Sequence, residues 1–336
     1  MGNSGCILSH RLCAGDRTKL TGCTSWICLG YPADEEDWEW NMDINDGEFI
    51  DLVVGEAKVS IYFYEVGNPD REAVILVHTG GAGVSAFMCW YQTLDAFAEA
   101  GYHVLAPDSP GFGRSSPGNG VDVLRAFMDA HGIQTAHLVG NSGGGMTCTN
   151  FASRYPDRVR SLTLSGGEPR VDTEGTRDIM PKLGVTLRME FARAMLTKPE
   201  LSLEDVRRST ADFFYNRDHP AVDVVAKFRM DTLSDLALLE RVRADAMAQI
   251  GRGRSNTPIE TFAAITAPTY LLHGRDEPGF YSDADAPVLL DAAMQVMHAI
   301  PNCRCTVLPY CGHWPQLEMP DTYNTMVLWF LKEASS

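Results

Sequence analysis

An α/β fold, with a mostly parallel twisted sheet flanked by helices and interrupted by a helical cap insertion, is what this 336-residue sequence predicts. Three observations carry that prediction. Apolar runs of strand length alternate with helical patterns from about residue 46 to 169, and again from 256 to 336. One run leads directly into Gly140-Asn141-Ser142-Gly143-Gly144 and then into a helical stretch. Between the two halves, residues 170–255 lose the strand rhythm and keep helical spacing. Strands separated by helices pair in parallel, with the helices covering both faces of the sheet.

Taken in order, residues 1–45 form an N-terminal extension with no sustained period. Phe49 to Val54 and Lys58 to Val66 alternate around Gly55 and predict a hairpin. Ala73 to His78 is a continuous apolar run, as a strand buried on both faces requires. A helix is expected over Trp90 to Ala100, ending at Gly101, then a strand at Tyr102 to Ala106. Val121, Leu124, Phe127 and Met128 share a helix face. Ala136 to Val139 is the strand before the serine, Met146 to Tyr155 the helix after it, and Val159 to Leu164 the next strand. Leu187 to Leu196 and Pro220 to Leu239 are helical patterns within the insertion. Strand rhythm resumes at Pro268 to His273. A helix at Ala286 to Ile300, a strand at Cys305 to Leu308 and a closing helix at Asp321 to Lys332 follow.

A net charge of −16 excludes the basic surface that nucleic acids or anionic membranes need. No run reaches the roughly eighteen apolar residues of a membrane span. The nine cysteines are odd in number, form no CxxC pair and read as reduced thiols of a cytoplasmic protein. No metal motif, phosphate loop or GxGxxG run is present to hold a metal, a phosphate or a dinucleotide.

Strand, Gly-x-Ser-x-Gly, helix is the setting in which a serine is thrust out at the top of a sheet. Its hydroxyl needs a base and a group that orients the base. In an open α/β sheet both come from loops at the carboxyl ends of later strands. His313, in the loop after Leu308, is the candidate base. Asp276, just after the strand at 268–273, is the candidate acid, with Glu168, Asp283 and Asp285 as rivals. The oxyanion of acyl transfer needs two backbone N–H donors. Gly143 follows the serine. Gly81, in His78-Thr79-Gly80-Gly81-Ala82-Gly83, is the expected second donor, with His78 bracing that loop.

Four stretches then resemble one family. They are the loop at 78–83, Asp108-Ser109-Pro110-Gly111-Phe112-Gly113-Arg114-Ser115, the serine turn itself, and Cys311-Gly312-His313-Trp314-Pro315-Gln316-Leu317-Glu318. From about 48 to 334 the chain resembles the α/β-hydrolase superfamily, and within it the meta-cleavage product hydrolases, carbon–carbon bond hydrolases of aromatic degradation. The resemblance implies a 2-hydroxy-6-oxo-hexa-2,4-dienoate substrate and no cofactor. It implies that a cap arginine holds the substrate carboxylate: Arg229, or alternatively Arg217. It further implies that Asn141, Trp314, Gly80 and Phe214 line the pocket, and that the protein is a homodimer or higher homo-oligomer. A carboxylesterase or lactonase on the same scaffold is the alternative. The chain departs from the family's pattern at Thr79, Ala82, Cys89 and Gly143, which bears on the substrate more than on the triad.

Overall fold

The computed structural model describes residues 42–166, 171–177, 198, 200–249, 256–276 and 286–336. Among them, eight strands form one sheet in the order β1-β2-β4-β3-β5-β6-β7-β8. β1 (Glu48–Val54) and β2 (Ala57–Val66) are the expected hairpin, turning at Gly55 with φ +64°. β2 pairs antiparallel with β4 (His103–Pro107). All later pairings are parallel: β4 with β3 (Ala73–Val77), then β5 (Ala136–Asn141), β6 (Val159–Ser165), β7 (Thr269–Gly274) and β8 (Cys303–Leu308).

Alternation along each strand divides the core between the two faces of the sheet. Val74, Leu76, Val139, Tyr270 and Leu272 pack on one face with Trp90, Phe97, Trp314 and Tyr323. Ile75, Val77, Leu138, Leu162 and Leu271 pack on the other with Phe127, Phe151 and Phe262. Burial on both faces explains why β3 and β5 read as unbroken apolar runs.

The single helix expected over Trp90–Ala100 is two short ones, α1 (Ala86–Trp90) and α2 (Leu94–Glu99). Ser85 starts α1 four residues earlier than the apolar pattern indicates, because its hydroxyl accepts from Met88 N–H at 3.2 Å. Asp108 from the far side of β4 accepts from Ala86 N–H at 2.7 Å, a contact invisible to local pattern. α3 (Gly120–Ala130) is capped by Asn119, and α4 (Gly143–Arg154) begins at the residue after the serine.

Helices α5 (Leu203–Ala211), α6 (Pro220–Ser234) and α7 (Leu236–Gln249) lie between β6 and β7 in the chain. The helix expected at 220–239 is broken at Asp235, whose carboxylate accepts from Ala237 and Leu238 N–H and starts α7. Leu201, Val206, Ala226, Leu233 and Leu239 form a small core of their own. An isolated parallel bridge joins Val171 to Thr257, so the two ends of this segment meet at one point. The helix predicted at 187–196 lies outside the described residues. α8 (Ile259–Ala263), α9 (Ala286–Ala299), α10 (Pro315–Glu318) and α11 (Pro320–Ala334) complete the second half.

Candidate active site

Ser142 sits between β5 and α4 with φ +50° and ψ −113°, a conformation costing a non-glycine residue about 1–3 kcal/mol. Tight backbone contact holds it there. A Cβ on Gly140 would lie 2.7 Å from Gly145 Cα, and one on Gly144 would lie 2.1 Å from Val77 O. Ser142 N–H donates to Ser165 O at 2.9 Å, which fixes the turn to β6. A serine at a helix start ordinarily accepts from an N–H of the first turn; Ser142 makes no such cap bond. Ser142 is partly exposed, at the positive end of α4.

The loop after β3 closes against this turn. A Cβ on Gly143 would meet Gly80 N at 3.0 Å and Gly80 Cα at 3.5 Å. The backbone facing Gly143 is therefore that of Gly80, one residue before the Gly81 of the sequence expectation. Gly81 instead makes the bend, with φ +146°, and its carbonyl accepts from Val84 N–H. His78 braces the loop. Its Nδ1 lies 2.6 Å from Thr79 O, and its Nε2 accepts from Ser109 N–H at 2.7 Å. That pairing requires the neutral Nδ1–H tautomer, and burial pushes the imidazole down to about 4. Next to it the buried Asp108 carboxylate accepts from Ala86 and Arg114 N–H, and burial raises it to about 6.

His313 follows β8 on a loop joined to the serine turn through Asn141. The Asn141 amide donates to His313 O at 3.3 Å, to Ser165 O at 3.1 Å and to Gln316 Oε1 at 3.4 Å. Asn141 is fully buried, and its NH₂ binds these two structural elements together. Gln316 in turn donates to Cys89 Sγ at 3.2 Å, at the place where the family often carries asparagine. Burial pushes the Cys89 thiol up to about 12, so it packs as a neutral group.

Asp276 ends β7. Its N–H donates to Cys311 O at 3.0 Å, and its carboxylate accepts from Tyr310 N–H at 2.6 Å and from the Arg275 guanidinium at 2.9 Å. Among the described residues these are its hydrogen-bond partners, so Asp276 anchors the base of the His313 loop. Glu168, Asp283, Asp285 and the adjacent Glu277 lie outside the described residues.

The segment after α5 covers the histidine. Phe213 O accepts from His313 N–H at 2.8 Å. The Phe213 ring lies 5.5 Å from the imidazole and stacks on Trp314 at 4.1 Å and 8°. Trp314 is wholly buried, with Phe214 edge-on to it at 5.8 Å. Phe214 itself is buried against His219, so Phe213 is the aromatic next to the candidate base. Phe213 and Phe214 sit in one apolar run, and the turn after Ala211 decides which of them faces the loop. Sequence reading missed the role of Glu318. It is 5% exposed and accepts three backbone N–H bonds: from Gly312 at 2.7 Å, Asn216 at 2.9 Å and Tyr215 at 3.1 Å. A buried carboxylate five residues after the histidine was the available signal.

Arg229 is 2% exposed on α6. Its guanidinium donates to Ala82 O at 3.0 and 3.1 Å, to Ser209 Oγ at 2.9 Å and to Thr210 Oγ1 at 2.7 Å. Burial lowers it to about 10. It thus reaches the loop at 79–84 from the helical segment, whereas Arg217 is half exposed and pairs with Asp212.

Set beside known proteins, residues 72–320 match the model of the alpha/beta hydrolase fold family. A 2-hydroxy-6-oxononadienedioate/2-hydroxy-6-oxononatrienedioate hydrolase of a Pseudomonas species is 31% identical over 302 residues, 86% of this chain and 98% of that protein. A 2-hydroxy-6-oxo-6-phenylhexa-2,4-dienoate hydrolase of Comamonas testosteroni is 31% identical over 281 residues, covering 81% and 91%. A solved meta-cleavage product hydrolase from Pseudomonas fluorescens superposes with a TM-score of 0.64 at 27% identity, over 85% of this chain and 98% of that one. The chain belongs to the α/β-hydrolase fold family, among the meta-cleavage product hydrolases.

Proposed function

We propose that this enzyme hydrolyses the C5–C6 bond of a 2-hydroxy-6-oxo-hexa-2,4-dienoate, with Ser142 as nucleophile and His313 as base. The observation that carries the reading is the Ser142 turn. A strained serine stands beside the Gly80 and Gly143 backbones, and Asn141 ties it to the His313 loop. His313 helps move the 2-hydroxyl proton toward carbon 5, leaving a keto group at carbon 2. Ser142 Oγ adds to the carbon 6 carbonyl and passes its proton to His313. The N–H groups of Gly143 and of the loop at 80–81 hold the oxyanion; the close approach of Gly80 N to Gly143 supports Gly80 as the second donor beside the expected Gly81. The C5–C6 bond breaks, its electron pair flows into the dienolate, and protonation releases a 2-hydroxydienoate. Water then cleaves the acyl ester to a carboxylic acid and restores Ser142. Only protons and one water move, so the reaction calls for no cofactor.

Asp276 is the proposed orienting acid, with Glu277, the next residue, as the competitor that its hydrogen bonds to Arg275 and Tyr310 bring forward. Arg229 is the proposed carboxylate site on the strength of its burial next to the oxyanion loop. One observation favours the carboxylesterase or lactonase reading: Arg229 already donates to Ala82, Ser209 and Thr210. Absorbance decay of a yellow 6-substituted dienoate, run beside p-nitrophenyl ester hydrolysis with wild type, Ser142→Ala and Arg229→Ala, separates the two. Dienoate loss that needs Ser142 and weakens without Arg229 supports carbon–carbon cleavage. Ester turnover with an untouched dienoate overturns it. Among the described residues no helix is long and apolar enough to cross a membrane. We place the enzyme in the cytoplasm as a homodimer or higher homo-oligomer, which light scattering of the purified chain tests.

A further inference from the structure

We propose that Glu318 is a positioning residue for this reaction: its buried carboxylate fastens segment 213–216 to the loop bearing His313, so that the imidazole is aligned only while that segment is seated. The inference rests on His313 being the base.

The bonds of Glu318 divide between two pieces of chain far apart in sequence. Oε2 accepts from Gly312 N–H, immediately before His313, and from Tyr215 N–H; Oε1 accepts from Asn216 N–H. Hydrogen bonds to a charged acceptor are about twice as strong as neutral ones, and three converge here. The two backbones they join are in contact. A Cβ on Gly312 would lie 2.6 Å from Phe213 O and 2.7 Å from Tyr215 N. His313 N–H to Phe213 O at 2.8 Å continues the same seam. Its aromatic side is the Phe213–Trp314 stack, and the Phe213 ring faces the imidazole. Tyr215 and Tyr310, 5.7 Å between ring centres, close the solvent end. The contacts at Gly312, His313 and Trp314 touch the base or the residues flanking it, and those of Glu318 with Tyr215 and Asn216 hold the other edge of the same seam. Loosening it therefore tilts the imidazole against Ser142, and such misplacements cost rate out of proportion to the displacement.

Burial, the largest influence, raises the Glu318 carboxyl, and Asp276 raises it further, while the three N–H bonds act the other way. A carboxylate kept in so unfavourable a place, held by backbone N–H groups, is consistent with a role beyond solvation.

The test uses the full chain with wild type, Glu318→Gln, Glu318→Asp and Ser142→Ala. Active sites are counted by labelling Ser142 with a fluorophosphonate. Both 2-hydroxy-6-oxo-6-phenylhexa-2,4-dienoate and p-nitrophenyl acetate serve as substrates. Glu318→Gln is expected to lower kcat roughly 30-fold on each substrate, with KM within about 3-fold, and to slow fluorophosphonate labelling by a similar factor. A lowered melting temperature with unchanged kcat per labelled site would mean a purely structural carboxylate and overturns the proposal. If the glutamine variant does not fold, Glu318→Asp decides. One methylene shorter, it keeps the charge but not the span, and unchanged kcat per site overturns the proposal equally. Turnover surviving in Ser142→Ala, or absent in wild type, would instead sink the reading of the site itself.

Discussion

On the serine side of the site, Ser142, Gly143 and the Gly80 backbone are fixed by backbone pressed on backbone at the ends of adjacent strands, with glycines where a Cβ has no room. On the histidine side, His313 is fixed by groups arriving from elsewhere: Phe213 and Tyr215 from beyond α5, Asn141 from β5, Asp276 from β7. The first half is a property of a turn, the second of an assembled fold. A turn of this kind tolerates almost no change, because the backbones of β3 and β6 press directly on it. An assembled loop tolerates change at any one contact but responds to movement of the segment that covers it.

Substitutions can break or sharpen that contrast. Ser142→Ala removes the nucleophile and should lower kcat by about 10⁴-fold or more, measured by dienoate absorbance with folding verified by circular dichroism. For the orienting acid, Asp276→Asn and Glu277→Gln compared side by side should differ: one loses about 10³-fold in kcat and the other less than about 10-fold. A loss confined to Glu277→Gln would leave Asp276 as an anchor of the loop. Gly144→Ala forces a Cβ against Val77 O and should destabilise the whole protein by about 3 kcal/mol, read by urea unfolding. A soluble, fully stable variant would show that the serine turn is looser than its contacts require.

Acid should separate the halves as well. His78 and His137 are held near 4, below the ordinary value of about 6.5, so the unfolded chain takes up protons that the folded chain refuses. Their stabilisation is complete above about pH 6.5 and is lost as pH falls toward 4, amounting to about 2 kcal/mol each at pH 5. Asp108, raised to about 6, works in the opposite sense and returns about 1 kcal/mol over the same range. Urea unfolding at pH 7 and pH 5 should show a net acid loss that His78→Asn reduces; an unchanged loss would remove His78 as its source. Smallest in size, Phe213→Ala should cost about 10-fold in kcat/KM for a 6-phenyl substrate relative to a 6-methyl one, through lost aromatic contact. Equal losses on both would confine Phe213 to holding the loop.

How much of this was legible in the sequence follows from the same contrast. Strands β3 and β5, the serine turn and the loop at 78–83 announce themselves, because burial on both faces and glycine spacing are written in adjacent residues. His313 was singled out from its place after the last strand. The early start of α1 was not, since Asp108 accepts from Ala86 N–H from 22 residues away. Gly80 and Gly81 differ only in which one the loop turns toward Gly143, a matter of φ at Gly81. The contacts of Phe213, Arg229 and Glu318 exist only after the helical segment has packed, so no local pattern reports them.

The bridge between Val171 and Thr257 carries a consequence for how such enzymes diversify. Both ends of a segment of some eighty residues meet at one hydrogen-bonded step, where Asp172 N–H donates to Thr257 O at 2.7 Å. β6 and β7 are sheet neighbours whatever lies between them. That segment can therefore change in length or sequence between its two ends with the pairing of β6 and β7 undisturbed. What such a change must keep is set by the core: a backbone that Glu318 can grip, an acceptor for His313 N–H and a donor for Ala82 O.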